Sequence, residues 1–169
     1  PDSLHRIAED AFHTPVSNVS MLPASGSSRR YFRITFNNRE TVLAAENAEV
    51  RENKAFIGFA KHFASYGLPV PEILHEHSDG QLYFQTDLGN ETLYDFLSDN
   101  GHDSEKVQRY YQHAADYLLK FQFCPPPDYS LCFPRDRFDR TSMMWDLNYF
   151  KYYFLKLANV PFDEQKLEH

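Results

Sequence analysis

Cysteine is scarce in this chain of 169 residues: only Cys124 and Cys132 occur, on either side of a proline-rich stretch. Neither belongs to a CxxC or HxxxH spacing, so a zinc site and a disulfide framework are both disfavoured, and two free thiols in a reducing cytoplasm are expected. Long apolar runs are missing as well. No segment can span a bilayer and no signal-peptide pattern opens the sequence, so no membrane partner is expected. Positive charge is in deficit, with 17 Lys and Arg against 24 Asp and Glu, a net charge of -7 and a pI of about 5.6. That balance excludes a nucleic-acid track over the whole surface but leaves room for a local basic patch that takes a small anion.

What is present suffices for a packed core. Hydrophobic residues make up 42% and aromatics 16%, so disorder is excluded, and the length allows one sizeable core or two small lobes. The chain opens at Pro1, and Leu167-Glu168-His169 reads as the start of a vector-encoded histidine tag (167–169). The natural protein is expected to continue beyond Lys166.

Periodicity orders the elements. Leu4, Ile7, Ala8 and Phe12 mark an amphipathic helix from Asp2 to Thr14. A strand is predicted at Val19–Leu22. Phe32, Ile34 and Phe36 alternate with Tyr31, Arg33 and Thr35, which predicts a strand at Tyr31–Phe36, returning through Asn37-Asn38-Arg39 at Thr41–Ala45. Val50–Tyr66 reads as a helix that Gly67 ends, with Pro69 and Pro71 forbidding continuation. A second hairpin, Ile73–Glu76 and Leu82–Thr86, turns at Ser78-Asp79-Gly80. Beyond Asp87-Leu88-Gly89 come helices at Thr92–Leu97 and Ser104–Phe123, the latter with Val107, Tyr110, Ala114, Tyr117, Leu118 and Phe121 inward. Asp103 or Ser104 caps it. A proline-rich connector leads to an aromatic helix over Thr141–Asn159. That helix needs cover on most sides, and little chain follows to supply it.

The stretch ASGSSRRYFR, Ala24 to Arg33, carries the chemistry most open to two readings. Small residues let main-chain N–H groups approach phosphate oxygens, hydroxyls add donors, and Arg29 and Arg30 place charge at the mouth. One glycine instead of the three of GxGxxG is equally a plain polar turn. Both readings stay open from these residues alone.

With LPASGSSRRYFR followed by ENKAFIGFAKHFASYGLPVPEIL, QTDLG and MMWDLNYFKYYFL, the chain resembles the aminoglycoside phosphotransferase family, over nearly its whole length. It is most similar to the branch of kinases acting on N-acetylmuramate or N-acetylglucosamine. The resemblance implies an α+β, protein-kinase-like fold: a small lobe (1–86) with a mostly antiparallel five-stranded sheet and one packed helix, a hinge (87–89), and an incomplete helical large lobe (90–166). It implies ATP and Mg²⁺ as cofactors and a small-molecule sugar acceptor. Ser25, Gly26, Ser27 and Ser28 would cover the triphosphate, with Arg29 and Arg30 beside them. Glu52 stands where the small-lobe helix carries an ion-pairing glutamate. Main-chain groups of Gln85, Thr86, Asp87 and Leu88 would meet the adenine edge. Asp146, Asn148 and Tyr149 fall at an acceptor-site helix.

Two departures from the family pattern stand out. The strand lysine that grips the α/β-phosphates is replaced by Ala44 or Ala45, so Glu52 is either paired with another cation or an ordinary solvated helix residue. Arg29, Arg30 or Arg33 could supply that charge, and Arg33 is equally a plain surface residue. Further, no HxD with a following Asn is present, and His102-Asp103 lacks the spacing. No catalytic residue and no metal ligand is therefore assigned within this chain. They are expected downstream, in the remainder of the large lobe, and the fragment alone should not turn over. The competing expectation is a non-catalytic, kinase-like nucleotide-binding or docking module. His75 and His77 share a strand face without a third ligand and read as exposed histidines. Arg135, Arg137 and Arg140 with Asp136 and Asp139 read as a self-paired connector.

Overall fold

Alternation in the segment from Arg30 to Phe36 sets the architecture. The computed structural model describes residues 2–24, 28–101 and 104–168. It contains strands β1 (Val16–Met21), β2 (Arg30–Phe36), β3 (Thr41–Glu46), β4 (Ile73–Glu76) and β5 (Leu82–Thr86) in one antiparallel sheet of order β1-β2-β3-β5-β4. Helices α1 (Asp2–Phe12), α2 (Val50–Ser65), α3 (Leu93–Asn100), α4 (Glu105–Phe123), α5 (Arg140–Phe150) and α6 (Glu164–Glu168) complete it. The chain divides into two compact units, 1–131 and 132–169.

In the first unit, register partners share a sheet face, so the rows can be read across. Phe32, Ala44 and Phe84 form one row, and Ile34, Val42 and Thr86 the next. Ile34, Val42, Ala44 and Phe84 make the main core with Val16, Phe36 and Leu82, Phe32 packs against it, and Leu4, Ile7, Ala8 and Phe12 of α1 close it. The Phe12 ring lies 5.3 Å from both Phe36 and Phe84. His75 packs by its ring against Phe84 and Phe12 and is half-buried instead of exposed.

The opposite face carries the rows Tyr31–Ala45–Tyr83 and Arg33–Leu43–Gln85. Helix α2 meets it by stacking Phe56 on Tyr83, with ring centroids 5.4 Å apart. The sheet thus has a helix on each face, α1 in addition to the expected α2. Helix α2 ends where Gly67 adopts φ +69° and its N–H donates to Ala64 O at 2.9 Å, the left-handed exit that glycine allows at no steric cost. Its first turn is fixed by Asn53, fully buried, whose Nδ2 donates to Asn47 O at 3.2 Å and to Gly80 O at 2.9 Å.

Beyond β5, Thr92 and Asp95 form a reciprocal cap that starts α3, which runs three residues past its expected end. Ser104 Oγ accepts from Val107 N at 3.3 Å and starts α4. The expected inward face of α4 is only partly covered: Val107 is buried, whereas Tyr110 and Leu118 are half-exposed or more. Its ring contacts are Phe96 of α3 on Tyr110 and Phe63 of α2 on Phe121, too few partners to bury the full stripe. In the second unit the single predicted helix breaks. Helix α5 passes at Lys151 into a π-turn, Lys151–Leu155, with Lys156 N donating to Lys151 O at 3.0 Å. Lys151 is buried there and reaches Glu164 at 3.4 Å.

Removing the Asn53 amide leaves the buried Asn47 carbonyl and the partly buried Gly80 carbonyl short of a donor. Asn53→Ala is expected to lower the unfolding free energy by about 2–3 kcal/mol in urea denaturation, and a loss under about 0.5 kcal/mol would contradict the role.

Candidate functional site

The α2 face of the sheet gathers the polar groups that the sequence singles out. Position 45 faces it, between Tyr31 and Tyr83, so Ala45 and not Ala44 stands where the family resemblance expects a lysine. Ala44 lies in the α1 core. No cation projects from β3 here, and one arrives from a different strand. Arg29, just before β2, donates from Nη2 to Glu52 Oε1 at 3.0 Å, and its guanidinium lies 5.3 Å over the Phe56 ring. The Arg29 side chain is 10% exposed, so the pair is shielded from water on that side. Glu52 Oε2 accepts in turn from Asn47 Nδ2 at 2.8 Å. Glu52 is therefore an ion-pairing residue held on both oxygens.

Burial works against the Arg29 charge, but the neighbouring Tyr31 and Tyr83 phenols and Glu52 outweigh it and hold its pKa above the ordinary value. Burial pushes the Tyr83 phenol well above its usual range, reinforced by Tyr31 and Glu52 against the opposing pull of Arg29. Tyr83 Oη and Gln85 Oε1 are buried with no hydrogen-bond partner among the described residues. An orphaned buried acceptor or donor is unfavourable unless something else completes it.

The crossover after β5 is tied down by a second arginine. Arg33 grips Asp87 bidentately, Nε to Oδ2 at 2.5 Å and Nη2 to Oδ1 at 2.8 Å, and reaches Asn90 Oδ1 at 2.6 Å and Gly89 O at 3.3 Å. Gly89 N also donates to Asp87 Oδ1 at 3.0 Å. Burial pushes the Asp87 carboxyl up, but Arg33, the Gly89 N–H and the Thr41 hydroxyl overcome it and hold the pKa below the ordinary carboxylate range. Thr86 turns the other way. Its N–H donates to Glu72 O at 3.0 Å and its hydroxyl accepts from Glu72 N at 3.1 Å. Leu88 is 74% exposed.

Arg29, Glu52, Gln85 and Asp87 thus converge on one face. Arg30 does not: alternation turns it to the α1 face, where it pairs with Glu46 at 2.7 Å and borders a cavity of about 690 Å³ over Leu4, Ile7, Val19 and Phe32. Ser28 is exposed, while Ser25, Gly26 and Ser27 lie outside the described residues, as do His102 and Asp103. Asp146, Asn148 and Tyr149 belong to the second unit. At 100° per residue Asp146 and Tyr149 share a side of α5, whereas Asn148 falls some way round; Tyr149 stacks on Tyr153 with centroids 4.5 Å apart. Arg137 pairs with Asp136 and Arg135 with Asp139. Among the described residues no three His, Cys, Asp or Glu side chains converge as a metal site would require. Sequence reasoning left Arg33 undecided and missed its partners; the available signal was its place on the Tyr31 side of the strand.

Because the Asp87 pKa is lowered on folding, its ionised form stabilises the protein above the ordinary carboxylate range. That contribution is lost as pH falls through the lowered folded value. Urea midpoints of wild type and Asp87→Asn should therefore differ at pH 6 and converge as pH falls below about 4; a gap that does not change with pH would contradict the assignment.

Comparison with known proteins gives the family. The chain is similar to an N-acetylmuramate/N-acetylglucosamine kinase of Pseudomonas aeruginosa, with 29% identity over 109 residues, which is 63% of this chain and 31% of that protein. It therefore spans well under half the length of that relative. The profile of the phosphotransferase enzyme family (APH) matches residues 20–161, a range that takes in the sheet from Ser20 onward, the Arg29–Glu52 pair, the Arg33 clamp and α5. With its protein-kinase-like α+β architecture, the chain belongs to the phosphotransferase enzyme family.

Proposed function

We propose that this chain is the nucleotide-binding part of an ATP-dependent small-molecule kinase that phosphorylates a hydroxyl of an amino sugar such as N-acetylmuramate, or of an aminoglycoside-like acceptor. One observation carries the reading: an Arg29–Glu52 pair, its guanidinium largely buried, on the face where Ala45 replaces the strand lysine. Phosphoryl transfer depends on positioning and on stabilising charge spread over phosphate oxygens. Arg29, oriented by Glu52, would supply that charge to the α/β-phosphates, and main-chain N–H groups of Ser25 to Ser28 would cradle the polyphosphate. A guanidinium offers a fixed fork for phosphate where the ammonium of lysine is a point charge. Main-chain groups around Gln85 to Leu88 would read the adenine edge.

Mg²⁺ has no ligand set among the described residues, since Glu52 and Asp87 are both engaged. Its ligands, with the carboxylate that orients the acceptor hydroxyl, would come from a further part of the large lobe. Asp146 and Tyr149, side by side on α5, are the acceptor-side candidates, with Asn148 less well placed to join them. The enzyme is placed in the cytoplasm, where ATP and reduced thiols coexist.

Isothermal titration of the 169-residue chain with ATP tests the nucleotide site. Arg29→Met is expected to weaken binding about tenfold, as loss of a charge-assisted contact does. Equal affinity in wild type and variant would reject Arg29 as the phosphate cation. Gly26→Val tests the loop in the same assay, and unchanged affinity would reject the cradle.

A further inference from the structure

The six residues 87–92 between β5 and α3 form no regular structure, expose Leu88, and include Gly89 at φ +88°. Such a segment has many accessible conformations, and fixing each residue costs conformational entropy. A ligand read by its main chain would bear that cost on binding unless the segment were already held.

It is already held, from one side chain. Arg33 projects from β2, which is paired along both edges by β1 and β3, and so stands on a rigid platform. Its guanidinium engages both oxygens of Asp87, the carbonyl of Gly89 and the side chain of Asn90, three of the first four residues of the crossover. Asp87 closes the loop by accepting from Gly89 N. The Asp87 side chain is 5% exposed and that of Arg33 18%, so this is not a solvated surface pair. The fork geometry also fixes direction, which a lysine could not do. Every strong donor of Arg33 points at the crossover, and the carboxylate of Asp87 is consumed in the clamp.

We propose that Arg33 is a positioning residue that holds the 87–90 crossover in the conformation in which its main chain reads a nucleobase, with Asp87 as its anchor and not as a ligand contact. The inference rests on the nucleotide-binding reading above. It separates from that reading because it concerns the base alone: the clamp should matter for ATP and not for a base-free polyphosphate.

The test is titration of the 169-residue chain with ATP and, separately, with inorganic tripolyphosphate, for wild type, Arg33→Ala, Arg33→Lys and Asp87→Asn. Loss of the clamp is expected to weaken ATP about tenfold in all three variants while tripolyphosphate affinity stays at the wild-type value. The exchange Arg33→Asp with Asp87→Arg should recover part of the ATP affinity. ATP binding unchanged in the variants would overturn the proposal, and so would equal weakening of ATP and tripolyphosphate. Wild type binding neither ligand would instead overturn the nucleotide-binding reading itself. If Arg33→Ala fails to fold, as judged by its thermal melt, the near-isosteric Asp87→Asn decides on the same criteria.

Discussion

Everything functional in the first unit depends on the two-residue period of β2. Phe32, Ile34 and Phe36 must face α1, because that helix offers the apolar stripe Leu4, Ile7, Ala8 and Phe12 to receive them. Tyr31 and Arg33 are thereby committed to the other face, on which Arg29, just before the strand, meets Glu52. A slip of one residue would drive Arg33 under α1 and leave Phe32 facing α2, reversing core and site at once. Core packing and site geometry are therefore a single constraint. It also explains why adjacent arginines have unrelated partners, Glu52 for Arg29 and Glu46 for Arg30.

The same constraint accounts for what the sequence made legible. Strong alternation and clear turn residues placed β4 and β5 at the observed limits and the other strands within a few residues. Glu52 could be singled out, but its state could not, because Arg29 lies 23 positions away and its reach depends on the turn before β2. Arg33 and Asp87 are 54 positions apart, and nothing local announces a clamp across β2, β3 and β5. Arg30 was grouped with Arg29 by adjacency, where alternation would have separated them. The late aromatic segment read as one helix because its composition is uniform, and nothing in that composition marks the π-turn at Lys151.

Relocation of a cation is chemically coherent. What the family resemblance asks of its lysine is a positive charge beside Glu52 on the α2 face, not a particular strand. Arg29 stands beside Glu52 from the entry to β2, and the fully buried Ala45 has Tyr31 and Tyr83 as its cross-strand neighbours. An acidic protein gathers two arginines on one face of its sheet, each fixed by a carboxylate, so that local charge departs from the net balance.

The proposed nucleotide lodges on the α2 face of the sheet and not on the α1 face. Amide chemical-shift mapping by NMR during titration with ATP tests it most directly. Shifts are expected at Arg29, Tyr31, Arg33, Ala45 and Gln85 to Leu88, with Ile7, Val19 and Leu82 unmoved. Shifts confined to the α1 side around Arg30 and Glu46, or none at saturating nucleotide, would contradict it.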